Sequence, residues 1–170
     1  MGKRIFGHSK KNEIKIGGRR MDIRELTAPC GLGCFACAFY RKNITEELTK
    51  GTAKNFGVEA KEIPCDGCRS ERGCSFEMPL TCGKGCITKK CVEDRGLHNC
   101  SECDEFPCEN LMPVADMGER VPHNTKMYNL SRIKLNGIES WGEEAAEIQK
   151  KYFKGKFVYG TLPSISEDEK

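Results

Sequence analysis

Apolar residues keep a helical rhythm at the two ends of this chain and lose it in the middle. Near the carboxy end, Met127, Leu130 and Ile133 fall three apart, which predicts a helix over residues 125–136 capped by Asn136-Gly137. Ile138, Trp141, Ala145, Ile148 and Tyr152 then trace one face of a second helix ending at Gly155. Joined at Gly137, the two read as an αα-hairpin that covers the rest of the molecule, with Trp141 on its buried face. Nearer the amino end, Phe39, Ile44 and Leu48 predict a helix over residues 38–50 that stops at Gly51. A second short helix is expected over residues 52–63, broken near Gly57. Ile14 and Ile16 alternate with Glu13 and Lys15, the pattern of a short strand ended by Gly17-Gly18, and residues 156–159 read as a final strand.

Residues 64–91 have no period of either kind. Pro64, Gly67, Gly73, Pro79, Gly83 and Gly85 punctuate six cysteines there. Such a stretch buries little apolar surface, while ordering each backbone residue costs about 1–2 kcal/mol. Something other than a hydrophobic core must hold it. After it, Cys108, Leu111 and Met112 suggest a short helix following Pro107.

The cysteines supply that other cause. All twelve fall between Cys30 and Cys108. Four close pairs stand out, Cys34/Cys37, Cys65/Cys68, Cys82/Cys86 and Cys100/Cys103, with Cys30, Cys74, Cys91 and Cys108 as singles. Two residues between paired cysteines let both thiolates of one turn reach a single ion, and three of the pairs have that spacing. All twelve are therefore candidate metal ligands, enough for two or three four-sulfur sites. Local proximity groups Cys30, Cys34 and Cys37; then Cys65, Cys68, Cys82 and Cys86; then Cys100, Cys103 and Cys108, with Cys74 and Cys91 available as completing ligands.

Composition sets the context. At 170 residues the chain suits one domain, expected over residues 23–160, after a flexible basic arm (1–22) and before a polar tail (161–170). The expected fold class is a small metal-rich α+β protein, mainly helical, with irregular cysteine knuckles and little β. No stretch near the amino end has the apolar length of a secretory signal, and the longest apolar run, Cys34 to Tyr40, is far too short for a membrane span. These features point to a cytoplasmic protein with no membrane partner. In that reducing compartment, clustered cysteines read as metal ligands rather than disulfides. The net charge of +3 is uneven: residues 1–20 carry seven Lys/Arg against Glu13 alone. An arm of that kind suits an acidic protein or nucleic-acid phosphates, in the latter case with binding that weakens steeply with salt.

Zinc, as two or three ions, is the expected metal, because closed four-thiolate sites are its usual structural form. An iron–sulfur cluster is the alternative: the spacing Cys30, Cys34, Cys37 suits a cluster with one open iron, although the ferredoxin run is absent. His98, two residues before Cys100, is a further candidate ligand. His8 and His123 read as solvated. The three scattered histidines make no acid–base pair, Asp104, Glu105 and Glu109 read as a solvated face, and no phosphate loop is present. The chain is thus expected to be a zinc-stabilised binding module acting on a protein partner, rather than an enzyme.

The run Cys30-Gly-Leu-Gly-Cys34-Phe-Ala-Cys37-Ala-Phe-Tyr40 resembles an uncharacterised cysteine-rich prokaryotic family, a domain of unknown function. The likeness continues through Cys65-Asp-Gly-Cys68-Arg-Ser70, Cys86-Ile-Thr-Lys-Lys-Cys91 and Cys100-Ser-Glu-Cys103-Asp-Glu-Phe-Pro-Cys108, and on to Gly137-Ile-Glu-Ser-Trp141, roughly residues 28–150. It implies a small zinc-binding protein without an established activity. Cys74 and Cys82 fall where the family pattern is loose. The additional cysteine ribbon that many members carry after the tryptophan helix is missing here.

Overall fold

β1 (Glu13–Ile16) and β2 (Arg19–Asp22) pair antiparallel, with Glu13 opposite Asp22 and Ile16 opposite Arg19. The structure, a computed structural model, describes residues 13–16, 19–76, 84–115, 118–156 and 159–165. The strand expected at Ile14 and Ile16 is present and gains a partner within the stretch assigned to the arm. Residues 1–12 of that arm and Gly17-Gly18 lie outside the described residues. Met21 within β2 and Ile23 just beyond it turn inward and are buried.

A narrow loop follows. Thr27 and Gly33 form an antiparallel bridge, Ala28 N donates to Leu32 O at 2.8 Å, and Cys34 N donates to Leu26 O at 2.8 Å. Gly31 at the tip has φ +83°, and a Cβ there would meet Leu130 Cγ at 2.6 Å. Glycine is needed both for the backbone angle and for the close approach.

The first helix differs from expectation in both limits. α1 spans Glu46–Phe56, capped by Thr45, whose hydroxyl accepts from Leu48 N, and closed by Gly57 in the left-handed region. Residues 38–45 do not join it because the turn before them has other partners. Asn43 Nδ2 donates to Phe35 O at 2.6 Å and Cys37 O at 2.9 Å, and Tyr40 makes a parallel bridge to Cys65. Gly51 does not stop α1 but sits inside it, exposed, with open space where a Cβ would go. Gly51→Ala is therefore expected to raise unfolding free energy by about 0.5–1 kcal/mol. Urea denaturation measures this, and unchanged or reduced stability would refute it. Of the helix expected over 52–63, residues 52–56 are the end of α1, the break falls at Gly57 as expected, and a 3-10 turn, Ala60–Glu62, follows it.

α2 (Ile87–Asp94) lies in the stretch that showed no period. Its eight residues turn Thr88 and Val92 inward and leave Ile87 exposed, too few positions for a rhythm to show. The short helix expected after Pro107 is a 3-10 turn, Glu109–Leu111, with Leu111 buried and Met112 exposed.

α3 (Thr125–Asn136) and α4 (Ile138–Lys154) match the predicted hairpin, with Gly137 at φ +85° between them. Arg132 on α3 and Glu144 on α4 pair through both guanidinium and carboxylate forks. The hairpin serves two cores. Ile133, Ile138, Trp141 and Ala145 pack with Met21, Ile23, Phe35 and Tyr40. Leu130 packs instead with Val92, Cys100 and Leu111. Trp141 is wholly buried, edge-to-face with Phe35 at 6.0 Å between ring centroids. The protein is thus mainly helical with minor β. Of the expected final strand, Lys156 bridges to Ser164 and Tyr159 lies in a turn; residues 157–158 and the tail from 166 on are outside the described residues.

Candidate metal centres

Two Cys-x-x-Cys pairs occupy the same local fold. Cys34–Ala36 is a 3-10 turn in which Cys37 N donates to Cys34 O at 3.1 Å; Cys100–Glu102 is another, with Cys103 N donating to Cys100 O at 3.2 Å. Asn99 caps the second, its Oδ1 accepting from Ser101 N, while the Glu102 carboxylate accepts from His98 N. Cys100 N also donates to Pro29 O at 3.0 Å, tying the third cysteine segment to the first loop. Cys65 is tied to that first segment too, its N donating to Phe39 O at 2.9 Å and its O accepting from Arg41 N at 2.8 Å. Gly67, at φ +102°, closes the approach of Cys68: a Cβ there would lie 3.9 Å from Cys34 Sγ.

These ties bring sulfurs together across segments as well as within them. Cys68 hydrogen-bonds both Cys34 and Cys74, and Cys65 hydrogen-bonds Cys74. Cys37 lies within electrostatic reach of Cys34 and Cys74. A second set, Cys91, Cys100, Cys103 and Cys108, lines one cavity beside α2. Cys30 bridges the two, in reach of Cys86, Cys34 and Cys100. Cys34 thus has Cys68 and Cys74 of the next segment within reach, and Cys91 lies with the last segment, Cys74 and Cys91 falling where completing ligands were expected. Cys30 and Cys100 come within reach of each other because the loop at residues 27–33 and the turn at 97–103 are stitched side by side. Cys82 lies outside the described residues.

The sulfurs are dressed as acceptors. Backbone N–H groups of Gly67 and Ser75 point at Cys65, those of Phe39 and Tyr40 at Cys37, that of Leu32 at Cys30 and that of Cys68 at Cys34. Donors of this kind favour the ionised sulfur. The hydrogen bond from Cys68 holds Cys34 below the usual thiol range. Cys68 itself is pushed far up by its bonds to Cys34 and Cys74, and burial pushes Cys100 up to about 12.

Each set also has a cation, and composition singled out none of the three. Arg69 lies within electrostatic reach of Cys34 and Cys68; Nε donates to Thr27 O at 2.9 Å, Nη2 donates to His98 O, and burial lowers the guanidinium pKa. Arg95 Nη1 donates to Cys103 Sγ at 3.4 Å, while Nη2 donates to Glu105 at 2.8 Å. Lys126 on α3 acts on Cys30. Nothing in the sequence separates these three cations from the other Lys and Arg, since only the fold sets them against sulfur.

His98 is no sulfur substitute. Its Nε2 donates to Arg24 O at 3.0 Å and its Nδ1 accepts from Asn99 Nδ2 at 3.2 Å, the neutral tautomer with both nitrogens engaged. Burial, then the nearby Arg69 and Arg24, lowers it to about 4. His123 Nε2 likewise contacts Met112 O at 3.0 Å. Glu105, read as part of a solvated face, belongs to Arg95.

Among the described residues, no three His, Cys, Asp or Glu side chains are arranged as a ready metal cage. The donor chemistry nonetheless suits a soft, thiolate-loving ion: all-sulfur sets with one cation against each, and backbone amides aimed at sulfurs of the first. Fold and site together define a small, mainly helical, cysteine-rich protein. Residues 26–113 match the family described as a protein of unknown function, DUF3795, and the chain belongs to that family. The match ends ahead of α3, short of the likeness drawn to residue 150, so the hairpin that closes both cores lies beyond it. No curated protein and no solved structure matches the chain. Among the described residues, no helix is long and apolar enough to cross a membrane.

Proposed function

We propose that the protein is a cytoplasmic binding module whose cysteine-rich half is cross-linked by structural zinc, with a protein partner. One observation carries the reading: Cys34 lies within electrostatic reach of Cys74, and Cys91 lines the same cavity as Cys108, sulfurs drawn from remote parts of the cysteine-rich half. Cys34, Cys65, Cys68 and Cys74 would hold one ion; Cys91, Cys100, Cys103 and Cys108 would hold the other. Zinc supplies cross-linking here, four bonds joining segments that bury too little surface to stay joined alone. Arg69 and Arg95 offset the negative charge of the thiolates. The basic amino-terminal arm offers an additional contact to nucleic acid.

Metal analysis after anaerobic purification tests this. About two zinc ions per colourless chain are expected, as two four-sulfur sets imply. Cys68→Ser should remove one of them and Cys103→Ser the other. A brown protein would replace zinc by an iron–sulfur cluster. A metal-free protein, or one losing both ions on either substitution, would defeat the two-site reading.

A further inference from the structure

We propose that the hairpin at residues 156–164 of one copy docks in the pocket beside Phe56 and Phe76 of a second copy, so that the protein self-associates. The pocket has a volume of about 580 Å³, within the range of about 300–1,000 Å³ that receives a ligand of drug size. Phe56, Val58, Ile63 and Phe76 wall it. Ile63 is buried beneath, while Phe56 and Val58 stay exposed. Phe76 packs edge-on against Phe39 at 4.6 Å and tilted against Phe56 at 5.9 Å between ring centroids, which holds the wall in shape.

The same chain carries an apolar group to fill it. Lys156 N donates to Ser164 O at 2.8 Å and Ser164 N donates to Lys156 O at 3.1 Å, closing a hairpin that Gly160 turns at φ +82°. Tyr159 and Leu162 stand on it 96% and 85% exposed, so neither is seated on its own molecule. A hairpin tied at its base loses little freedom when it docks.

Charge agrees with the pairing. The pocket's ionic edge is Lys61, Glu62 and Arg72. Lys61 pairs with Glu59, whereas Arg72 Nη2 is held by uncharged oxygens, Glu62 O at 2.8 Å and Ser75 Oγ at 3.4 Å. Asp66 feels Arg72 but belongs to Arg41. Arg72 is thus a fixed cation ready for an incoming carboxylate. Shortly after the hairpin the sequence runs Glu167-Asp168-Glu169. An apolar anchor followed by acids meets an apolar pocket edged by a cation, and such complementarity selects the partner. The inference names the protein partner of the binding module proposed above, and it rests on that reading for one wall, since Cys74 of the first sulfur set lines the pocket.

Sedimentation equilibrium of the full-length protein, purified with its metal, reads average mass against concentration. A mass rising above the 19.1 kDa monomer is expected, with association weakened by salt. Tyr159→Ser combined with Leu162→Ser, and separately Phe56→Ser, should each weaken association about tenfold or more, roughly the worth of burying one large apolar side chain. All three positions are exposed and outside both cores, so neither variant disturbs the packing of the single molecule. Arg72→Gln should flatten the salt dependence. Mixed together, the hairpin variant and the pocket variant should bind each other more tightly than either binds itself, because each keeps the surface the other lacks. A monomer even at about 1 mM, the weak end of useful affinities, undiminished association in either variant, or a mixture no tighter than its components would overturn the inference. A metal-free protein that self-associates in this pattern would defeat the zinc reading alone. A zinc-loaded protein that stays monomeric would defeat this inference alone.

Discussion

Chelation under reducing conditions is expected to abolish amide protection across residues 64–76 and 97–112 and most of the cooperative unfolding transition with it. The physical reason is the lack of any other tie of sufficient size. Between α1 and α2 the described chain has one 3-10 turn, and its buried apolar side chains are Ile63 and Cys65. Ordering those residues costs about 1–2 kcal/mol each, whereas a structural zinc contributes about 10–16 kcal/mol in small peptides. Domains keep only about 5–15 kcal/mol in net stability, so one ion decides whether the segment is ordered. The helices would not survive intact, since 12 and 17 residues are near the length at which isolated helices are marginal in water. Hydrogen exchange with and without chelator measures the effect. Undiminished protection across residues 64–76 after complete metal removal would refute it.

Trp141→Ala should cost about 3–5 kcal/mol, the range for deleting a large aromatic from a core. The indole is fully buried and edge-to-face with Phe35. It also lies over Gly33, where a Cβ would come within 3.5 Å of its ring. Through Phe35 and Gly33 it presses the hairpin onto the turn that carries Cys34. The substitution should therefore lower the urea midpoint. A loss under about 1 kcal/mol would mean the hairpin is not held by this residue.

Legibility in the sequence followed segment length and periodicity. α3 and α4 were readable to the residue because a long amphipathic helix repeats its inward positions several times. α1 was misplaced by its apolar spacing although Thr45-Glu46-Glu47 carried the true start signal; the residues before it were taken by Asn43 and the Tyr40–Cys65 bridge, which no local pattern reveals. α2 was missed because eight residues with two inward positions do not make a period.

Chemistry divides the same way. By itself the sequence determined that cysteines crowd the middle of the chain, that their spacing suits shared ligation, and that a helical hairpin with Trp141 covers the remainder. Those are properties of neighbours along the chain. Only the tertiary structure decided that Cys34 faces Cys68 and Cys74, that Cys91 joins Cys103, that His98 is occupied elsewhere, and that Arg69 and Arg95 stand against sulfur. Such pairings depend on backbone bonds between remote segments, Cys100 to Pro29 and Cys65 to Phe39. Hydrogen bonds of that kind involve main-chain atoms common to every residue, so they leave no mark in the side-chain pattern.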